Sequence, residues 1–332
     1  MRARLLVACL SVLTVAGGLS AQTSRSRHNP MVELLSAKQA VFGLYAPANR
    51  GAARGRGRAG AAAATPAPPQ KTPAELAKET MAYGSSDFIF SGGMEGGVER
   101  GLGPWTDFVS ALGETPLVTR TPFVHLSRAL VVKSPRITED VARTTADLGA
   151  QLNTGVNTLM FVGVESAAEV QRGLDAMRFV SNGGTRPDAV GMAPKVWGMS
   201  EAEYTRKADL WPLNPDGELV NWTIVESKEG LARVREIAAV KGIGVLWPGA
   251  GTLRGVFSTQ AADGSRVADP VAWEAAIQQV LAACKEFNVP CGYPSNAADI
   301  EMRIKQGFSV FVMGWSDAGF QTIDIGRKAA GR

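Results

Sequence analysis

Short apolar runs alternate along the chain with stretches in which apolar side chains recur at helical spacing. The clearest case begins with the apolar run Leu219–Val225, which ends in the carboxylate of Glu226. Residues 228–240 then place apolar side chains on one face of a helix, and a second apolar run, 243–247, ends in a glycine-rich segment. This pattern predicts a βαβ unit whose two parallel strands end at the same edge of a sheet.

The same alternation continues through most of the chain. Eight predicted strands alternating with helices are typical of a (β/α)8 TIM barrel, in which active sites lie at the carboxyl ends of the strands. A doubly wound open sheet is the alternative fold. The predicted strands are residues 40–46, 87–90, 116–122, 158–164, 219–225, 243–247, 289–293 and 308–314.

Two segments stand outside this alternation. Residues 1–22 combine early arginines, an apolar stretch and small residues up to Ala21, which predicts a secretory signal peptide that is too short to span a membrane. We therefore expect export to the periplasm or the extracellular space, with no stable membrane anchor. Residues 47–71 are rich in Gly, Ala, Pro and Arg and predict a disordered basic loop. The predicted barrel comprises residues 23–46, which form an N-terminal segment and the first strand, and residues 72–317, followed by a C-terminal tail at 318–332.

Composition supports one large globular unit. The 332 residues are 45% hydrophobic and 20% charged, which is enough apolar material for the core of one barrel. The net charge of +4 comes with arginines concentrated in the basic loop, so we do not expect nucleic-acid binding.

The cysteines predict little covalent cross-linking. Of the three, Cys9 leaves with the signal peptide. Cys284 falls on a predicted helix and Cys291 on the following strand, which favours two buried free thiols over a bridge, although export would permit one.

Charged and glycine-rich residues follow several predicted strands. Glu226 ends the fifth strand, Arg120 lies near the end of the third, and Glu95 follows the second. An arginine at an apolar strand end needs an anion to compensate for its burial. The segment Gly249–Ala250–Gly251–Thr252 follows the sixth strand, and its glycines suit either a ligand carboxylate approaching backbone N–H groups or tight turns.

Several segments of the chain together carry the motifs of a known family: NPMVELLSAKQAVFGLYAP, PLVTRTP, TLMFVGVESAAEVQRGLDAMRF followed by GGTRP, TIVESKEGLARVREIAAVKGIGVLWPGAGTL, and GFSVFVMGWSD. In order and spacing they resemble the HpcH/HpaI aldolase and citrate lyase family. The resemblance implies a metal-dependent (β/α)8 barrel that makes or breaks carbon–carbon bonds, with pyruvate or a related 2-oxo acid as the enolate partner.

The resemblance also implies site residues. It places Arg120 as the arginine that steadies the enolate, Glu226 as a ligand of Mg²⁺ or Mn²⁺, and Glu95 as the glutamate of the family's D-x-E-H element. Two of the four principal catalytic positions of the family are changed: Gly96 stands for the histidine that moves the proton, and Thr252 for the second metal-binding carboxylate. Gly249, Ala250, Gly251 and Thr252, with Arg120, are the expected substrate-binding residues.

Two functions follow as hypotheses. The first is a carbon–carbon lyase of the aldolase type that acts on a 2-oxo acid, or its aldol adduct with an aldehyde, with a divalent metal. The alternative is a non-catalytic barrel that binds a small carboxylate or sugar acid. Of the two histidines in the chain, His125 is expected past the end of the third strand, as a substitute base or as a loop residue packed on its neighbours. Family members are commonly assemblies, so a homo-oligomer is expected.

Overall fold

A computed structural model describes residues 26–49 and 69–332 of the chain. The predicted signal peptide and residues 50–68 of the predicted basic loop lie outside the described residues. The centre is a curled parallel sheet of eight main strands, consistent with a (β/α)8 barrel. The strands are β1 Val41–Tyr45, β2 Phe88–Ser91, β3 Ala129–Lys133, β4 Thr158–Phe161, β5 Leu219–Val225, β6 Val245–Pro248, β7 Gly292–Pro294 and β8 Val310–Met313.

The strand order favours a barrel over an open doubly wound sheet. Pairing runs in chain order from β1 to β6, β7 pairs with β8, and the last strand β8 lies beside the first strand β1. Between β6 and β7 there is one parallel bridge, Leu246 to Cys291, and the Leu246 N–H donates to the Pro290 carbonyl at 2.9 Å. This sequential order is that of a (β/α)8 barrel.

The helices lie between these strands and cover the outside of the sheet. Thr72 caps the helix that begins at Pro73: its hydroxyl accepts from the Glu75 N–H, and the Glu75 carboxylate accepts from the Thr72 N–H. None of the helices in residues 26–49 and 69–332 has the length and apolar character needed to span a bilayer. The helices are α1 Pro30–Ser36, α2 Pro73–Ala82, α3 Val98–Gly113, α4 Val141–Leu152, α5 Ala167–Met177, α6 Ala193–Trp197, α7 Glu201–Lys207, α8 Lys228–Ala232, α9 Val234–Ala238, α10 Ala250–Val256, α11 Pro270–Phe287, α12 Ile300–Gln306 and α13 Asp317–Ala329.

The predicted third strand is wrong. Residues 116–122 do not join the barrel, because Val118–Thr119 pairs antiparallel with His125–Leu126 in a short hairpin. The third barrel strand is β3, an uninterrupted apolar run that ends in Lys133 and is buried over its first four residues. A parallel strand covered on both faces has this composition, whereas residues 116–122 are broken by threonines and prolines. Arg120 and His125 therefore precede β3, and Lys133 ends it.

Aromatic side chains fill the interior of the barrel. Trp222 stacks on Trp247 with ring centroids 5.2 Å apart, and the Phe88 ring meets Trp222 edge-on at 5.1 Å. Phe90 completes this buried group and is 1% exposed. Because the interior is packed in this way, a ligand has room only at an end of the barrel.

The segment before β1 closes the amino end of the barrel. Glu218, directly before β5, accepts from the backbone N–H groups of His28 at 3.2 Å and Asn29 at 3.0 Å. The Asn29 side chain donates back to the Glu218 carbonyl at 2.9 Å and also caps α1. Met31 and Val32 of α1 then join the buried cluster inside the barrel. Glu218 thus ties the start of the described chain to the barrel.

Acid is expected to weaken this closure through His28. The His28 ring is 1% exposed and stacks on Trp197 at 4.8 Å, and burial lowers the pKa of His28 from 6.5 to about 4. Between these values the unfolded chain binds more protons than the folded chain, so stability falls as the pH drops. The expected loss is about 3 kcal/mol in the free energy of unfolding.

Urea unfolding near neutral pH and at about pH 4 measures this loss, with His28→Gln as the comparison. Burial raises the pKa of Glu218, so the contribution of this residue to the free energy of unfolding falls as the pH rises past 4.5. On acidification its effect on stability therefore opposes that of His28. The difference between the loss of stability in the wild type and that in His28→Gln gives the contribution of the histidine. An equal loss of stability in both proteins would contradict the assignment.

The structure joins Cys284 to Cys291 in a disulfide, which corrects the prediction of free thiols. Cys284 lies in the last turn of α11, and Asn288, with a φ of 53°, turns the chain back towards β7. The two Cα atoms come within 5.7 Å, a separation that a disulfide can span.

The tail forms the helix α13, which packs on its own barrel. The Asp87 carboxylate, just before β2, accepts from Arg327 at 3.2 Å and from Arg332 at 2.7 Å. It also accepts from the backbone N–H of Phe42 in β1 at 2.8 Å, so one carboxylate links the tail to two strands.

Candidate active site

The carboxyl ends of the strands bring a small set of polar side chains together. Tyr45 ends β1, Lys133 ends β3, Glu226 follows β5 directly, and Gly249 follows β6. Side chains alternate along a strand, so each of these residues lies on the same side of the sheet as the residue two positions earlier. They therefore face the barrel mouth, above residues that face the interior. Those earlier residues are Gly43, Val131, Ile224 and Trp247, and the last three belong to the interior cluster.

Lys133 and Glu95 form the central ion pair of this mouth. The Lys133 Nζ donates to the Glu95 Oε2 at 2.9 Å, which links the ends of β3 and β2. The Lys133 side chain is 18% exposed, and that of Glu95 is 43% exposed. The lysine stem passes Gly92, where a Cβ would lie 3.7 Å from the Lys133 Cδ. A partly exposed pair adds little to folding stability, so its main effect is to position the ammonium group.

Tyr45 shares the electrostatic environment of this pair. Its ring meets Phe90 edge-on, with centroids 4.8 Å apart. Burial raises the pKa of Tyr45, the Lys133 charge opposes this rise, and the Glu95 charge adds to it. The phenol therefore stays protonated near neutral pH and can donate a proton.

Glu226 is held by the loop that follows β4. Its Oε1 accepts from the Gly163 N–H at 2.8 Å, and the Gly163 carbonyl accepts from Arg136 at 2.9 Å. Gly163 has a φ of 59°, a conformation that suits glycine. On the other side, a Cβ at Gly249 would lie 2.4 Å from the Glu226 Cβ, so only glycine leaves room for this carboxylate. The predicted position of Glu226 at the end of β5 is confirmed.

The predicted substrate-binding segment after β6 is the start of a helix. Gly249 occupies the cap position of α10, and Ala250 begins the helix. The Ala250 side chain is buried, and its carbonyl accepts from the Trp273 Nε1 at 2.8 Å. Gly251 and Thr252 are exposed on the first turn. Their role in binding substrate stays a prediction.

Arg120 does not lie at the carboxyl ends of the strands. It is exposed and donates to the Gly198 carbonyl at 3.5 Å. His125 lies in the same short hairpin before β3, and its Nδ1 contacts the Phe123 carbonyl at 3.0 Å. Both strand-end positions were wrong because they rested on the wrong third strand, whereas His125 does pack on its neighbour Phe123, one of the two roles expected for it. The cation of the mouth is Lys133, for which the apolar run ending in a lysine was the available signal.

The residues at the mouth do not fit a Mg²⁺ or Mn²⁺ ion. Within residues 26–49 and 69–332, no three His, Cys, Asp or Glu side chains lie close enough together to hold a metal. Glu226 already accepts from a backbone N–H, Glu95 is paired with Lys133, and Thr252 brings no charge. These cations take several oxygen ligands, and a site with one free carboxylate binds them much more weakly than a site with two. The donor set therefore does not support the predicted metal site.

The larger of two described pockets lies away from this chemistry. It has a volume of about 910 Å³ and is lined by the loops that precede β6, β7 and β8, at the amino end of the barrel. A smaller pocket of about 360 Å³ lies between Asn49, Lys71 and Trp315, beside the described ends of the basic loop. The amino end of a barrel serves stability, so we place the active site at the mouth.

Comparison by structure gives clear neighbours, although the sequence matches no protein-family model and no curated protein. A HpcH/HpaI aldolase/citrate lyase family protein from Burkholderia cenocepacia matches over 91% of this chain and 98% of its own, with 19% identity and a TM-score of 0.61. A HpcH/HpaI aldolase from Desulfitobacterium hafniense matches over 88% and 93%, with 16% identity and a TM-score of 0.56.

Macrophomate synthase matches over 92% of this chain and 88% of its own, with 15% identity and a TM-score of 0.55. At these identities the similarity establishes the fold. The resemblance inferred from the sequence is confirmed at that level: the chain has the fold of the HpcH/HpaI aldolase/citrate lyase family.

Proposed function

We propose that this protein is a carbon–carbon lyase of the aldolase type and a member of the HpcH/HpaI family. It cleaves the aldol adduct of a 2-oxo acid into the 2-oxo acid and an aldehyde. The observation that carries the proposal is the Lys133–Glu95 pair at 2.9 Å, placed beside Tyr45 and at the strand ends of a barrel with this fold.

These groups match the needs of the reaction. Cleavage leaves an electron pair on the carbon next to the 2-oxo group, and a nearby cation stabilises it. Lys133 supplies that cation and also attracts the substrate carboxylate. The hydroxyl that becomes the aldehyde must lose its proton, and Glu226, fixed by the Gly163 N–H, is the carboxylate suited to accept it.

The non-catalytic alternative is not favoured. It rested on the loss of the family histidine and aspartate at Gly96 and Thr252. The mouth nevertheless keeps a cation, two carboxylates and a phenol, each from a different strand or from the loop after it. A binding barrel for a small carboxylate would need the cation alone. We also propose export through the secretory pathway. We further propose a homo-oligomeric assembly, which size-exclusion chromatography of the mature protein tests.

An assay of the mature protein tests the lyase. A panel of 4-hydroxy-2-oxo acids is supplied, and the 2-oxo acid released is measured with and without added Mg²⁺ or Mn²⁺. We expect Glu226→Gln to lower kcat/KM by about 100-fold or more, since a positioned base contributes 10²- to 10⁴-fold. Glu229→Gln, at an exposed position on α8, is the matched control and should retain activity.

Two outcomes would contradict the proposal. One is the absence of cleavage across the whole panel in a folded protein. The other is equal activity of the wild type and Glu226→Gln, which would remove the carboxylate from the reaction.

A further inference from the structure

We propose that Lys133 forms an imine with the 2-oxo group of the substrate, so that the lysine nitrogen takes the electron pair released by cleavage. This inference rests on the proposed lyase function and assigns the electron acceptor within it. It follows from two observations: the described residues at the mouth form no group of three or more His, Cys, Asp or Glu side chains able to hold a divalent metal, and β3 ends in a primary amine.

The placement of Lys133 suits a covalent role. Its stem packs along Gly92 and only 18% of its side chain is exposed, so the nitrogen is held at one position of the mouth. The Glu95 carboxylate at 2.9 Å is the neighbouring base that can accept a proton from the ammonium group. A lysine amine attacks carbonyl compounds once that proton is removed.

The steps balance without an oxidant or reductant. Glu95 accepts a proton from the ammonium group, and the neutral amine forms a C–N bond to C2 while the carbonyl electrons move to oxygen. That oxygen takes one proton from the added nitrogen and a second from the Glu95 carboxyl group, and it leaves as water when the nitrogen lone pair forms the C=N bond.

Cleavage then uses the iminium nitrogen as the electron acceptor. Glu226 accepts the proton of the C4 hydroxyl, the C3–C4 bond breaks, and its electron pair moves through C2 to the nitrogen, giving an enamine and a free aldehyde. Protonation at C3 and addition of water to C2 release the 2-oxo acid and restore the amine. An arginine at this place would remain protonated and could not form this bond.

Reductive trapping tests the inference. The mature protein is incubated with pyruvate and sodium cyanoborohydride, digested and analysed by mass spectrometry. We expect a reduced pyruvyl adduct on the peptide that contains Lys133, formed equally in the presence of EDTA. Lys228→Arg, which changes an exposed lysine just after β5, should keep the adduct, and Lys133→Arg should lose it. Circular dichroism and the Tm of each variant establish that the fold is retained.

The outcomes separate this inference from the proposed function. Cleavage that EDTA abolishes, with no adduct at Lys133, would overturn the imine and leave the lyase standing. Cleavage that persists in EDTA, with an adduct at Lys133, supports both. A folded protein that gives neither cleavage nor an adduct would overturn both.

Discussion

Replacement of Lys133 by arginine is expected to lower kcat/KM for cleavage of a 4-hydroxy-2-oxo acid by at least about 10³-fold, as loss of a covalent nucleophile does. The substitution keeps the positive charge and the contact with Glu95, but it removes the primary amine. If Lys133 acted only through its charge, arginine would retain activity within about tenfold, because a cation would remain beside the oxygen that gains charge. Steady-state kinetics of the two proteins decide between these roles.

Two comparisons make this measurement specific. Lys228→Arg removes another amine near the mouth and should leave kcat/KM unchanged. Lys133→Cys should be inactive, and its alkylation with 2-bromoethylamine, which restores an amine at nearly the original position, should recover part of kcat. Full activity of Lys133→Arg would contradict the covalent role, and the charge would then be the contribution of Lys133.

The sequence predicted most of the strands and helices because their patterns are unambiguous. Leu219–Val225 was predicted with the observed bounds from its largely apolar run. Helix α11, Pro270–Phe287, is an amphipathic stretch that begins with proline. The third strand failed because two short segments compete within a few residues. Threonines and prolines interrupt residues 116–122, whereas Ala129–Lys133 has the uninterrupted apolar run that a strand buried on both faces requires.

That one error determined how well the site was predicted. Glu226 and Glu95 lie near the carboxyl ends of their predicted strands, because those strands were placed correctly. Arg120 was wrong because it followed the wrong strand, and Lys133 was missed for the same reason. The disulfide was missed because a seven-residue separation in sequence does not reveal the turn at Asn288 that brings Cys284 and Cys291 together.

The corrected strand changes the chemistry as well as the geometry. With Arg120 at the mouth, the chain would have been a family site that had lost half of its residues. With Lys133 there, the same barrel presents an amine next to a carboxylate and a phenol, which is a set able to act without the missing aspartate. The changes at Gly96, Thr252 and the end of β3 are then parts of one altered mechanism.

The packed interior predicts the largest effect on stability, at Gly292 in β7. A Cβ at this position would lie 1.7 Å from the Trp247 Cε3 and 2.1 Å from its Cζ3. Trp247 cannot move aside easily, because its ring stacks on Trp222 at 5.2 Å inside the barrel. We expect Gly292→Ala to lower the free energy of unfolding by about 3 kcal/mol, at the upper end of the usual cost of overpacking a core.

Urea unfolding monitored by tryptophan fluorescence measures this loss, and Gly255→Ala is the matched control. Gly255 is exposed on α10, and a Cβ there would meet nothing within 4 Å. The control should be as stable as the wild type or more stable by up to about 1 kcal/mol, because alanine favours a helix over glycine. If Gly292→Ala were as stable as the control, Trp247 would have to move freely. The interior would then have room for a ligand, and the argument that confines the active site to the barrel mouth would fail.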